Sequence, residues 1–187
     1  MQFSEEHFSL MKTVRDFASN EIYPFIEEWE SSGGFPAHDL FKKLGSIDML
    51  GITKSTKYGG MGLDYSFGIA FAEALGNAWD LGIITAIGVH TDMATPALDR
   101  YASEELKDEF LAPAIKGDYV AALALSEAGA GSDLASITTT AQHDGDDYII
   151  NGQKMWITNA THADFFCTLV NTSDGEPHKN KSLVVIP

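Results

Sequence analysis

The chain changes texture at Gly117, and that boundary constrains its fold more than any other feature. Before it, apolar residues recur at three- and four-residue spacing: Phe8, Met11, Val14, Ala18, Ile22, Phe25 and Trp29 trace one stripe of a helix. After it come short runs rich in β-formers, at 119–125, 137–142, 148–150, 154–158, 165–170 and 183–186. Helices followed by strands predict an α+β protein. We read an N-terminal all-α helical bundle domain over residues 1–117. An antiparallel β-barrel- or sandwich-like domain follows over residues 118–187, and its C-terminal end reads as incomplete.

Local chemistry punctuates the helical half. Ser4 stands as an N-cap with Glu5 and Glu6 in the first turn, and Pro24 predicts a kink or two consecutive helices. Pro36 suits the first turn of a short helix holding Leu40, Phe41 and Leu44. The turn-rich segment from Tyr58 to Leu63 leads to Asp64, the cap of a helix through Phe71, Leu75 and Ala78. The nearly all-apolar run from Leu81 to Val89 predicts a helix buried on most sides. Another helix is expected from Ala94 to Tyr101 with Pro96 in its first turn, and Ser103 caps a last one, Glu104 to Lys116. Beyond Gly117, Asp144-Gly145 and Asn151-Gly152 mark turns between strands.

A formal net charge of -15 argues against a nucleic-acid partner, and it obliges any anionic ligand to find a local amide-lined or positive pocket. No apolar run reaches membrane-spanning length. The N-terminus enters a helical pattern without a basic, apolar leader, so an intracellular location is expected, in cytoplasm or mitochondrial matrix. Cys167 stands alone in an apolar stretch and reads as a packed core thiol. The histidines, His7, His38, His90, His143, His162 and His178, show no ligand-like spacing with a cysteine or acid, so no metal site is expected.

The chemistry-bearing segments lie in the second half. Gly129-Ala130-Gly131 invites a dinucleotide-fold reading, because glycines let backbone amides approach phosphate. That reading fails on context, since Leu134 stands where a small residue is needed and a strand pattern follows instead of a helix. A bare tight turn remains open as an alternative. If 154–158 is a strand, Trp156 and Thr158 point to the same face and can address one ligand together; by itself, Trp156 would be ordinary core. Glu127 is expected to organise the glycine loop by accepting backbone amides rather than to act as a base.

The run Ala124-Leu125-Ser126-Glu127-Ala128-Gly129-Ala130-Gly131-Ser132-Asp133-Leu134-Ala135-Ser136 resembles the main signature of the acyl-CoA dehydrogenase family. Asn151-Gly152-Gln153-Lys154-Met155-Trp156-Ile157-Thr158-Asn159-Ala160 resembles its second. The segments 58–64 and 101–107 are similar as well, and the likeness runs through essentially the whole chain. Departures are mild: Ala128 where Pro is common, Ala102 where Gly is usual, and no Pro-Glu before the Tyr-Gly-Gly turn.

The resemblance implies an FAD cofactor and α,β-dehydrogenation of an acyl-CoA thioester to a trans-2-enoyl-CoA. It assigns Leu123, Ala124, Leu125 and Ser126 to the polar edge of the flavin ring and Gly131 and Ser132 to the FAD phosphates, with Ser132 also near the acyl-CoA substrate. Trp156, Ile157 and Thr158 would pack on the ring and hydrogen-bond near its reactive nitrogen. Implied partners are an electron-transfer flavoprotein and, for the full-length protein, further copies in a dimer or tetramer. The family places its catalytic Glu in a later helical domain, so no residue of this chain is nominated as catalytic base. A piece of a longer enzyme is the favoured expectation, against a naturally short protein. Two rivals stand beside the dehydrogenase: a non-catalytic flavin, acyl-CoA or partner-binding protein of the same fold, and a flavin oxidase or monooxygenase relative.

Overall fold

The computed structural model describes residues 2–77 and 80–187, so Ala78, the expected end of one helix, lies outside the described residues. Helix α1 (Glu5–Glu21) starts at Ser4, whose amide donates to Nδ1 of His7 at 3.1 Å. That imidazole takes the place of the Glu of a capping box. Its ring stacks on Phe67 of α4 (Tyr65–Leu75) with centroids 3.8 Å apart. Cap and helix packing are thus joined in one side chain. Pro24 sits in a tight turn, Tyr23–Phe25, that separates α1 from α2 (Ile26–Ser32), as its missing amide requires. Pro36 stands at the N-cap of α3 (Ala37–Ser46), one position earlier than expected. Phe41 and Leu44 of α3 are buried with Leu10, Val14, Phe71, Ile87 and Val120 in the larger core.

Helix α5 (Leu81–Gly88) is less enclosed than its composition predicted: Ile83, Ala86 and Ile87 are buried, but Leu81 is 78% exposed. It runs through a widened π turn, Val89–Ala94, into α6 (Thr95–Tyr101). The expected single helix after Ser103 is likewise divided into α7 (Glu104–Leu106), a π turn at Lys107–Leu111 and α8 (Ala112–Ile115). Both π turns lie just before a proline, Pro96 and Pro113, whose missing N–H breaks the regular i to i−4 ladder. In the first turn side chains add donors to the backbone carbonyls. The Thr95 hydroxyl donates to the His90 carbonyl at 2.8 Å, and Nζ of buried Lys54 donates to that of Thr91 at 2.7 Å.

The second half carries five strands: β1 (Ala121–Ala124), β2 (Thr140–Asp144), β3 (Asp147–Asn151), β4 (Phe165–Asn171) and β5 (Lys181–Ile186). The sheet is mixed, which corrects the antiparallel expectation. β2–β3 and β4–β5 pair antiparallel, whereas β1 and the start of β2 pair parallel with β4. Parallel neighbours need a long crossover. Here the 125–164 segment supplies it with a loop, the β2–β3 hairpin and a second loop, returning the chain to the side from which β1 set out. The run expected as a strand at 154–158 forms none, and the 137–142 strand begins only at Thr140.

β1 is pinned against the α5–α6 rod. The Ala121 amide donates to Nδ1 of His90 at 3.1 Å, while Nε2 of that fully buried ring bonds the Ala114 carbonyl at 3.1 Å. Gly117 closes α8 at a φ of +72°, and a Cβ there would lie 2.1 Å from the Phe41 carbonyl oxygen. Only glycine lets α3 and the start of the β half approach so closely.

Candidate functional site

The end of β1 runs into a tight turn in which Glu127 and Ala130 exchange amide–carbonyl bonds of 2.9 and 3.1 Å. Beyond the turn, Asp133 caps a short helical turn by accepting from the Ala135 amide at 3.1 Å and from the Ser136 hydroxyl. These hydrogen bonds, led by that of Ser136, hold its carboxyl below the usual range. Between them, Gly131 and Ser132 are exposed, and among the described residues their amides donate to no acceptor of the chain. A Cβ built on Gly129 or Gly131 meets nothing within 4 Å. The loop therefore presents free N–H groups and a hydroxyl to open space, a donor set suited to phosphate oxygens.

The second segment meets the first. The Met155 amide donates to the Ser126 carbonyl at 2.9 Å, and Nζ of Lys154 donates to the Leu125 carbonyl at 3.0 Å. Trp156 follows with φ +60° and 89% of its surface exposed. A left-handed residue at that point ends any strand, so the same-face argument for Trp156 and Thr158 does not hold. The indole is also no core residue. Ile157 and Thr158 are half-buried, and Thr158 faces a cleft of about 390 Å³ that Trp29, Phe35, Ile83 and His162 also line. Leu125 and Ser126 are thus brought beside Lys154 and Met155, while Leu123 and Ala124 pair with Cys167 and Thr168 inside the sheet; Gly131 and Ser132 stand on a separate free loop and Thr158 turns toward the helices.

Asn159 anchors the far end of this segment. At φ +69° it sends Nδ2 to the carbonyls of Ala86 in α5 and Ala121 in β1, at 2.9 and 3.1 Å. Glu127 organises the loop as expected. Its Oε2 accepts the amide and hydroxyl of Thr138, both at 2.7 Å, and its Oε1 accepts the Thr139 amide at 3.0 Å and Lys154 at 2.9 Å. Burial opposes its charge, but the bonds from Thr139, Thr138 and Lys154 outweigh that and hold the carboxyl far below its ordinary range. A carboxylate so held is a weak base.

Lys154, Asn159 and His90 support this region and are not evident from the sequence, where their partners are distant. Cys167 is buried, its thiol pushed up to about 11 by desolvation. Among the described residues, no group of three or more His, Cys, Asp or Glu side chains could hold a metal ion, and no helix is long and apolar enough to cross a membrane.

Helices followed by a mixed sheet form a fold with known relatives along its whole length. The acyl-CoA dehydrogenase N-terminal domain matches residues 4–118 and the middle domain of the same family matches residues 122–187. This chain belongs to the acyl-CoA dehydrogenase family. It is 32% identical to the mitochondrial short-chain specific acyl-CoA dehydrogenase of Homo sapiens, over 100% of this chain and 45% of that protein. A crystal structure of an acyl-CoA dehydrogenase from Geobacillus kaustophilus superposes with a TM-score of 0.92 at 37% identity, over 98% of this chain and 48% of the other. One from Bacillus anthracis complexed with FAD gives 0.90 at 33% identity, over 99% of this chain and 31% of the other. The chain spans about half the length of the curated relatives it matches.

Proposed function

We propose that this chain carries the FAD-facing half of an acyl-CoA dehydrogenase, with a helical domain over residues 1–117 and a middle β domain over 118–187. The observation that carries the reading is the bond from the Met155 amide to the Ser126 carbonyl, which sets an exposed, left-handed Trp156 beside the open end of β1. An indole so exposed, without an aromatic partner among the described residues, is a stacking surface for a flat ligand. The free amides of Gly131 and Ser132 suit the phosphates of the same ligand.

In this reading the backbone of Leu123, Ala124, Leu125 and Ser126 and the Ser126 hydroxyl hold the polar edge of the flavin. Trp156, Ile157 and Thr158 hold its ring, and Ser132 meets both phosphate and acyl-CoA. The flavin supplies an acceptor for hydride from Cβ of the thioester. The chain's own part is to bind, orient and exclude water. The carboxylate beside these segments, Glu127, is committed to a cation and two threonines, so in this reading proton abstraction from Cα belongs to a carboxylate outside these residues. The same commitment favours the second reading, a binder of flavin, acyl-CoA or a partner protein without turnover. Electron-transfer flavoprotein as acceptor, a dimer or tetramer, and an intracellular site of action follow from the first reading.

The test is retention of flavin. FAD mixed with the chain and then desalted should remain with the protein and quench Trp156 emission. Free passage of flavin with unchanged emission would sink the proposal. Turnover is tested on the natural-length protein, where bleaching of its flavin by some acyl-CoA thioester separates the dehydrogenase from the binder.

A further inference from the structure

One ammonium group ties together both segments of the proposed flavin site. Nζ of Lys154 donates to the Leu125 carbonyl at 3.0 Å and to Oε1 of Glu127 at 2.9 Å, so it grips the residues on either side of Ser126. The pair is enclosed: the side chains of Lys154 and Glu127 keep 11% and 6% of their exposure. Glu127 in turn holds the Thr138 amide at 2.7 Å and the Thr139 hydroxyl at 2.5 Å, at the entry to β2. A single ion pair therefore joins three stretches of chain: the end of β1, the approach to β2 and the loop bearing Trp156.

General stabilisation is a poor account of such a pair. Burying two charges costs desolvation that their attraction rarely exceeds, and an apolar pair of similar volume often serves stability as well. What charge and direction add is a fixed offset between segments. Trp156 hangs between two anchors, the Met155 amide on Ser126 and the Asn159 side chain on Ala86 and Ala121. Lys154 is the element that clamps the rim-side anchor to both neighbours of Ser126.

We propose that Lys154 is a positioning residue of the cofactor site, fixing the backbone edge of Leu125–Glu127 relative to the Trp156 indole so that one flat ligand can engage both. The inference rests on the flavin reading above and assigns it a residue outside the ligand-facing set.

The test uses the whole chain and two readouts: FAD affinity from quenching of flavin fluorescence, and amide hydrogen exchange at Met155, Thr138 and Thr139. Lys154→Met should weaken FAD binding about tenfold, the loss of roughly one charged hydrogen bond, and speed exchange at those three amides. Lys154→Arg, which keeps the cation, should stay within about threefold of wild type on both, a difference of less than one such bond. If Lys154→Met leaves a bare buried carboxylate and unfolds, the double variant Glu127→Gln with Lys154→Met removes both charges, and it should show the same loss of FAD affinity. Unchanged affinity with faster exchange would reduce the pair to a structural brace and overturn the proposal. Lost affinity with unchanged exchange would overturn it too, because Lys154 would then act by some route other than positioning. Failure of the wild-type chain to bind FAD at all would remove the flavin reading and this role together. Binding by wild type and variant alike removes only the role.

Discussion

The Ala121 amide, at the first residue of β1, donates to Nδ1 of His90 at 3.1 Å, so the strand that leads to the glycine loop is hung from the ring of a buried histidine in the helical half. Nε2 of the ring bonds the Ala114 carbonyl, which makes Nε2 the protonated nitrogen and leaves Nδ1 free to accept. Protonating Nδ1 would destroy the link to β1. Desolvation holds the pKa down at about 4, against the ordinary 6.5.

That depression makes stability depend on pH. The folded ring stays neutral down to about pH 4, whereas the unfolded ring takes up a proton below about pH 6.5. Between those values the unfolded state binds more protons, so stability rises with pH and is lost as pH falls from 6.5 to 4. The loss from this one group is on the order of 3 kcal/mol. Urea unfolding across that window should show it, and His90→Gln should remove this component of the slope; an equal slope in the variant would refute the assignment.

Asn159→Asp should cost more than 3 kcal/mol, since it replaces a two-bond donor with a charge facing the Ala86 and Ala121 carbonyls. Asn159→Gly keeps the left-handed backbone and loses only the hydrogen bonds, so a smaller loss of about 2 kcal/mol is expected. Chemical denaturation of both variants checks the order.

Glycines on the two sides of the junction should behave oppositely. Gly117→Ala drives a Cβ to 2.1 Å from the Phe41 carbonyl oxygen at a left-handed φ, and should lower stability by about 3 kcal/mol or more. Gly131→Ala meets open space and should change stability by less than about 0.5 kcal/mol. Thermal melts compare them directly.

Ser132→Phe and Trp156→Ala alter exposed side chains, so each should leave the thermal midpoint almost unchanged. Both should cut FAD retention by about tenfold or more, one by intruding where phosphate packs and the other by removing the stacking surface. Full flavin content after desalting would refute those placements.

The amino-acid sequence by itself determined the order of helices and strands, because caps, prolines and apolar spacing act within a few residues of chain. Ser4, Asp64 and Ser103 begin helices where their side chains indicate, and Pro24 breaks one. The two signature segments were legible in the same way, as was the role of Glu127 as an acceptor for nearby amides. Tertiary structure alone decided the parallel pairing of β1 with β4, the left-handed turn at Trp156 and the union of Glu127 with Lys154, 27 residues away. Each of these depends on which distant groups are desolvated together, and no local preference records that. Lys154 has the propensity of any surface lysine until the fold closes over it and sets its ammonium against the Glu127 carboxylate and the Leu125 carbonyl.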